Sequence, residues 1–170
     1  MSETEVVGTK RSVLGSLKER RQEVLEAQVL DLPVPRWTDP VIVVRYKPVE
    51  HGFIRRAQDA VNNAPKREKY ETELNGNADI LIRGCVAVVA VVDGQEYSLR
   101  EGDSDGEPTV FDEDLALNLG VEGAGGKRPT AREVVRALFI TQGDILSAAQ
   151  GVVEFSGYRE TEADSAISGE

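Results

Sequence analysis

The stretch Ala78–Val92, together with the dipeptide that follows it, restricts this chain more than any other feature. It is apolar or small throughout except at Asp79 and Arg83. Ile80, Leu81, Gly84, Cys85 and Val88 recur at helical spacing, which predicts a largely buried helix with Asn77 as its N-cap. Val86–Val92 is rich in β-branched residues, so the helix gives way to a strand before Val92. Asp93-Gly94 is the pair that a two-residue hairpin turn prefers, because both central positions take positive φ. The strand therefore ends near Val92 and pairs with Gln95–Leu99. Phe111-Asp112-Glu113-Asp114-Leu115 then opens an acidic helix start, its carboxylates well placed against the helix dipole. The order is helix, hairpin, helix, and no residue in it is obviously reactive. That combination favours a binding scaffold over an enzyme.

The flanking segments extend this pattern. Residues 1–9 are small, polar or acidic and are expected to be mobile. Residues 10–30 place Val13, Leu14, Leu17, Val24, Leu25 and Val29 at three-to-four spacing, the mark of an amphipathic helix. Leu32-Pro33-Val34-Pro35-Arg36-Trp37 reads as a rigid extended strap, because each proline fixes its own φ and disfavours helix before it. Val41–Lys47 is β-branched and reads as a strand. A helix is expected over Phe53–Asn63, and Ala64–Asn77 reads as a charged loop with a further helical turn. Asp112 starts a short helix to about Leu119, and Gly120–Pro129 is a flexible connection. Thr130 and Glu133 form a capping box for the helix carrying Val134, Val135, Leu138 and Phe139. Gly143 marks a break before a final helix with Ile145, Leu146, Ala149, Val152, Val153 and Phe155. Residues 159–170 read as an acidic disordered tail. The fold class is α+β: a helix-rich single domain over 31–158 with a small β-hairpin or sheet and disordered termini.

Size and charge narrow the partners. A chain of 170 residues, 40% of them apolar, can bury a proper core. Its net charge of −10 repels phosphate backbones and anionic membrane surfaces, so neither nucleic acid nor membrane is an expected partner. The one cysteine excludes an internal disulfide and any multi-thiolate zinc site. Met1 is followed by polar and acidic residues rather than a basic and apolar leader, and the longest apolar run is too short for a membrane span. A cytoplasmic protein is expected.

Four sites of chemistry can be tested against the residues. Glu101, Asp103, Asp105, Gly106 and Asp112 follow the ligand positions of a calcium loop, but the first is Glu, the last is the shorter Asp and Pro108 stands where an apolar residue belongs. Gly126-Lys127 follows a glycine-rich segment, yet Arg128 replaces the Ser or Thr of a phosphate loop and Val121 its first glycine. Cys85 and His51 could pair only if the thiol were exposed and activated, and Cys85 lies on an apolar face. Lys10, Arg11, Lys18, Arg20 and Arg21 form a basic cluster, diluted by Glu19, Glu23 and Glu26 and without an aromatic platform. No catalytic residue, cofactor or metal is expected.

Taken in order, four stretches resemble the tail assembly chaperones of long-tailed, siphovirus-like phages, especially those of actinobacterial hosts. They are Leu32–Trp37 with Val41–Lys47, Ala78–Cys85, Val91–Gly94 followed by Phe111–Leu115, and the helices from Thr130 onward, together spanning about 30–157. The acidic insertion at 101–108 and the helix at 11–30 depart from the family pattern. The resemblance implies a non-catalytic role in the cytoplasm of the infected host. Such proteins bind the long, helical tape measure protein and keep it soluble until tail tube subunits polymerise around it. They are then displaced and are absent from the finished particle. The tail tube protein and further copies of the chain are additional partners, and a longer frameshifted form is often made. The rival reading is a structural virion component, such as a tail-completion or head–tail joining protein. The stripe Val13, Leu17, Val24 and Leu25, with Trp37 near it, either faces a client or a second subunit, or it completes the core. The sequence leaves both open.

Overall fold

The computed structural model describes residues 3–100 and 107–158, with side chains from residue 15 onward. Four strands, β1 (Leu30–Pro33), β2 (Val41–Tyr46), β3 (Cys85–Val92) and β4 (Gln95–Ser98), pair antiparallel in that order. The hairpin between β3 and β4 closes on Asp93 (φ 51°) and Gly94 (φ 76°), the two left-handed positions that the Asp-Gly pair predicts. Val86 is the extra residue of a bulge where β2 and β3 slip register beside Arg45 and Tyr46.

Alternation along β2 sends Ile42, Val44 and Tyr46 to one face, where they are buried together with Val88 and Ala90 of β3. Helices cover that face. They are α2 (His51–Asn63), α3 (Lys69–Gly84), α4 (Glu113–Leu119), α5 (Ala131–Leu138) and α6 (Gln142–Phe155), whereas α1 (Glu3–Ala27) is exposed along its described residues. α3 is central, packing against α2, α5 and α6 through Leu74, Ala78 and Leu81. Ion pairs tie its outer side to α5: Arg132 holds Asp79 at 2.7 and 2.8 Å, and Arg136 reaches Glu71 at 2.6 Å. The result is an α+β single domain with a four-stranded sheet.

Local sequence signals carry several of these elements. Thr130 and Glu133 form the capping box at α5, and Asp112 caps α4 by accepting the Leu115 amide at 3.1 Å. Three boundaries differ from expectation. α3 begins at Lys69, so Asn77 lies inside the helix, where its side chain donates to the Glu73 carbonyl rather than capping. Cys85 is not on the helix but opens β3, opposite Tyr46. Gly84 ends α3 where a side chain would press on Lys47 O and Val49 Cγ2 at 3.2 Å. Finally, part of the proline strap is a strand. Leu30–Pro33 pairs with β2, and an edge position tolerates Pro33 because its missing N–H faces no partner.

Two further differences concern α6 and α1. Gly143 does not break a helix; it sits in the first turn of α6, which Thr141 caps by accepting the Asp144 amide. α1 starts at Glu3, within the segment expected to be mobile, and ends at Ala27 rather than Leu30. The chain there turns tightly through Gln28 N–H to Leu25 O and Val29 N–H to Ala27 O before entering β1.

Candidate functional site

Every described residue of α1, from Gly15 to Ala27, is exposed, and Val29 beyond it is exposed as well. Leu17 is 60% exposed, Val24 55% and Leu25 44%, values that exclude them from the core. A Cβ built on Gly15 meets nothing within 4 Å. The reading in which this stripe completes the core is therefore overturned for Leu17, Val24 and Leu25. Val13 lies outside the residues whose side chains are described. Within the described part, α1 is steadied by an Arg20–Glu23 ion pair at 3.0 Å and a Gln22–Glu26 hydrogen bond at 2.9 Å. Such pairs stabilise a helix by only about 0.2–0.5 kcal/mol each.

Trp37, the fifth candidate for this surface, is half-buried rather than exposed like the α1 row. Its ring packs on the core, and its Nε1–H donates to the Leu138 carbonyl at 2.9 Å. The indole secures the turn after β1, where Arg36 adopts φ 75° and donates Nε to Asp144 at 3.0 Å.

A second surface without cover among the described residues lies on the sheet face opposite the helices, and its composition signal is weaker than that of the helix row. Val41, Val43, Val89 and Val91 sit side by side there and are half-buried, and none belongs to the core or packs against it. Arg45 closes one end of the patch, bridging Asp31 of β1 at 2.9 Å and Glu96 of β4 at 2.8 Å. The composition signal lies in the two central strands. VIVVRY and CVAVVAVV carry apolar residues at both parities, which suits burial on both faces.

The reactive-site candidates are absorbed by structure. Burial pushes the Cys85 thiol up to about 12, the reverse of what a nucleophile needs. His51 Nε2 sits 2.8 Å from the Ser156 carbonyl, and its ring meets Tyr158 edge-on, so it fastens the end of α6 to the start of α2. In the glycine-rich segment the Ala124 amide donates to Glu133, whose carboxylate also accepts from Thr130 N–H and is thereby held below the usual carboxylate range. The chain thus supplies its own anion there. Gly123 is required because any Cβ would fall 2.1 Å from the Lys127 carbonyl. Of the calcium-loop candidates, Glu101, Asp103, Asp105 and Gly106 lie outside the described residues. Asp112 is spent on the α4 cap and on Arg100, which also reaches Glu107 at 2.9 Å and Asp114 at 3.1 Å. Among the described residues no cluster of three or more His, Cys, Asp or Glu could hold a metal ion.

Two open grooves of about 280 and 350 Å³ flank the α2–α3 contact at Ala57 and Gly76. Gln58, Asn62, Asn77 and Gln150 give the first a carboxamide lining, and the Arg132–Asp79 pair borders the second. No described helix is long and apolar enough to cross a membrane. Comparison with protein-family models, curated proteins and solved structures gives no match.

Proposed function

We propose that this chain is a tail assembly chaperone that binds a phage tape measure protein and keeps it soluble until the tail tube polymerises. The observation that carries the reading is the exposed row Leu17, Val24 and Leu25 on α1, whose described residues are all exposed. An amphipathic helix can lay its apolar face along such a row, and tape measure proteins are long and helical. The acidic body suits the role, since a net charge of −10 keeps a complex with an aggregation-prone client apart from its neighbours. The reading is of a non-enzymatic protein working in the host cytoplasm.

Co-expression with the tape measure protein tests it. The client should be soluble and co-purify with this chain, and it should precipitate when expressed alone. Purified particles should lack the chain. A client that stays insoluble, or particles holding the chain in fixed copy number, would overturn the reading; the second result would make it a structural component.

A further inference from the structure

We propose that the client segment seated on α1 is an amphipathic helix whose apolar stripe is bordered by carboxylates. The client comes from the chaperone reading, on which the proposal rests; what is new is the chemistry by which α1 selects it. At about 3.6 residues per turn, Leu17, Val24 and Leu25 share one face of α1. Arg21 stands in the same row, four residues after Leu17 and four before Leu25. Lys18 and Arg20 border the row, one on each side, and Glu19, Glu23 and Glu26 share the face about 180° away. All of these residues are exposed. The acids that dilute the basic cluster in the sequence therefore lie behind it on the helix. Among residues 15–27, the row is edged by bases alone.

Two of the three cations are left for a partner. Arg20 pairs with Glu23 at 3.0 Å, whereas Lys18 and Arg21 hold no carboxylate among the described residues. Their long stems can lie along an apolar surface and still put the charge in water at its edge. A helix with Asp or Glu beside its apolar stripe would bury the row and meet both cations. One with Lys or Arg there would set like charges together. Charge also decides against the other surface that a base-edged helix fits. An anionic membrane would face the whole body of a chain with net charge −10. A docked helix meets this face alone, within a screening length of about 8 Å in physiological salt.

Two synthetic helical peptides with the same leucine stripe, edged by Glu in one and by Lys in the other, serve as probes. Fluorescence anisotropy follows their titration with the full chain. The Glu-edged peptide should bind at least about tenfold tighter in low salt, and the preference should fade as salt rises. Lys18→Glu with Arg21→Glu should reverse the preference, and the neutral pair Lys18→Gln with Arg21→Gln should abolish it. Glu19→Lys with Glu26→Lys, on the opposite face, shifts the net charge as far as the reversal does but in the other sense. It should leave the preference within about threefold of wild type. Melting curves check that each variant is folded. The proposal is overturned if the chain binds neither peptide or both equally. It is overturned too if the opposite-face variant moves the preference as far as the reversal does, since net charge would then decide. A wild-type dimer that Leu17→Ser dissociates, or binding to phosphatidylserine vesicles that Leu17→Ser abolishes, would give the row to another occupant and contradict it as well. Neither probe contains tape measure sequence. A chain that keeps the tape measure protein soluble yet takes both peptides alike sinks this proposal alone. One that prefers the Glu-edged peptide yet leaves the client insoluble sinks the chaperone reading alone.

Discussion

Trp37 donates its indole N–H to the carbonyl of Leu138 at 2.9 Å, fastening the turn after β1 to the last turn of α5. A carbonyl there has no partner within its own helix, so the bond satisfies a group that the fold would otherwise leave unpaired. Trp37→Phe keeps an aromatic ring but deletes the donor. It should cost about 1–2 kcal/mol in urea unfolding while leaving affinity for a tape measure polypeptide unchanged. A loss of affinity with unchanged stability would return Trp37 to the binding surface.

Tyr46 carries the opposite situation. It is fully buried, and its hydroxyl finds no hydrogen-bond partner among the described residues. Removing an unsatisfied buried polar group relieves its desolvation, so Tyr46→Phe should be neutral or stabilising by up to about 1 kcal/mol. Thermal unfolding measures this. A clear destabilisation would mean that the hydroxyl has a partner.

Opposite Tyr46, Cys85 links stability to alkaline pH. Burial pushes its thiol from 9.0 up to about 12 and raises the Tyr46 phenol in the same direction. The folded chain therefore keeps protons that the unfolded chain releases. The stability is complete below the unfolded thiol value near 9.0 and is lost as pH rises from there toward about 12. Urea midpoints between about pH 8 and pH 11 should fall, and Cys85→Ala should flatten the first part of the decline. An unchanged slope in that variant would remove Cys85 as a cause.

Two glycines of α3 make a paired prediction. At Gly84 a new Cβ would lie 3.2 Å from the Lys47 carbonyl and from Val49, whereas at Gly76 it would meet the Ala57 Cβ at an ordinary 3.6 Å. Gly84→Ala should destabilise by about 1–3 kcal/mol through overpacking against backbone. Gly76→Ala should stabilise by about 0.5–1 kcal/mol through helix propensity. Chemical denaturation of both variants checks the contrast, and equal effects would contradict the close approach at Gly84.

The elements legible in the sequence are those fixed by local chemistry. Asp93-Gly94, the Thr130–Glu133 box and the Asp112 cap each involve a few neighbouring residues, and each stands where its pattern places it. The start of α3 was hidden because Leu74 is the only buried residue in its first eight, leaving little periodicity to detect. Asn77 then looked like a cap because caps and helix interiors differ only in what precedes them. β1 is four residues long and ends in proline, which reads as a strap until β2 supplies the partner. The same limit applied to the candidate site. Spacing placed Leu17, Val24 and Leu25 on a helix, but whether another element covers them is a tertiary fact. Trp37 is near the row only in sequence, and its bond to Leu138 joins residues 101 positions apart, a tertiary contact that no local pattern announces.

The central claim is that the α1 row binds another polypeptide rather than stabilising this one. Calorimetric titration of a tape measure polypeptide into the wild-type chain and into the Leu17→Asp, Val24→Asp variant measures this most directly, with melting curves of both proteins alongside. The account predicts equal melting, within about 0.5 kcal/mol, because exposed side chains contribute little to folding, together with lost or strongly weakened binding in the variant. A variant that unfolds, or one that binds the polypeptide as tightly as the wild-type chain does, would contradict it.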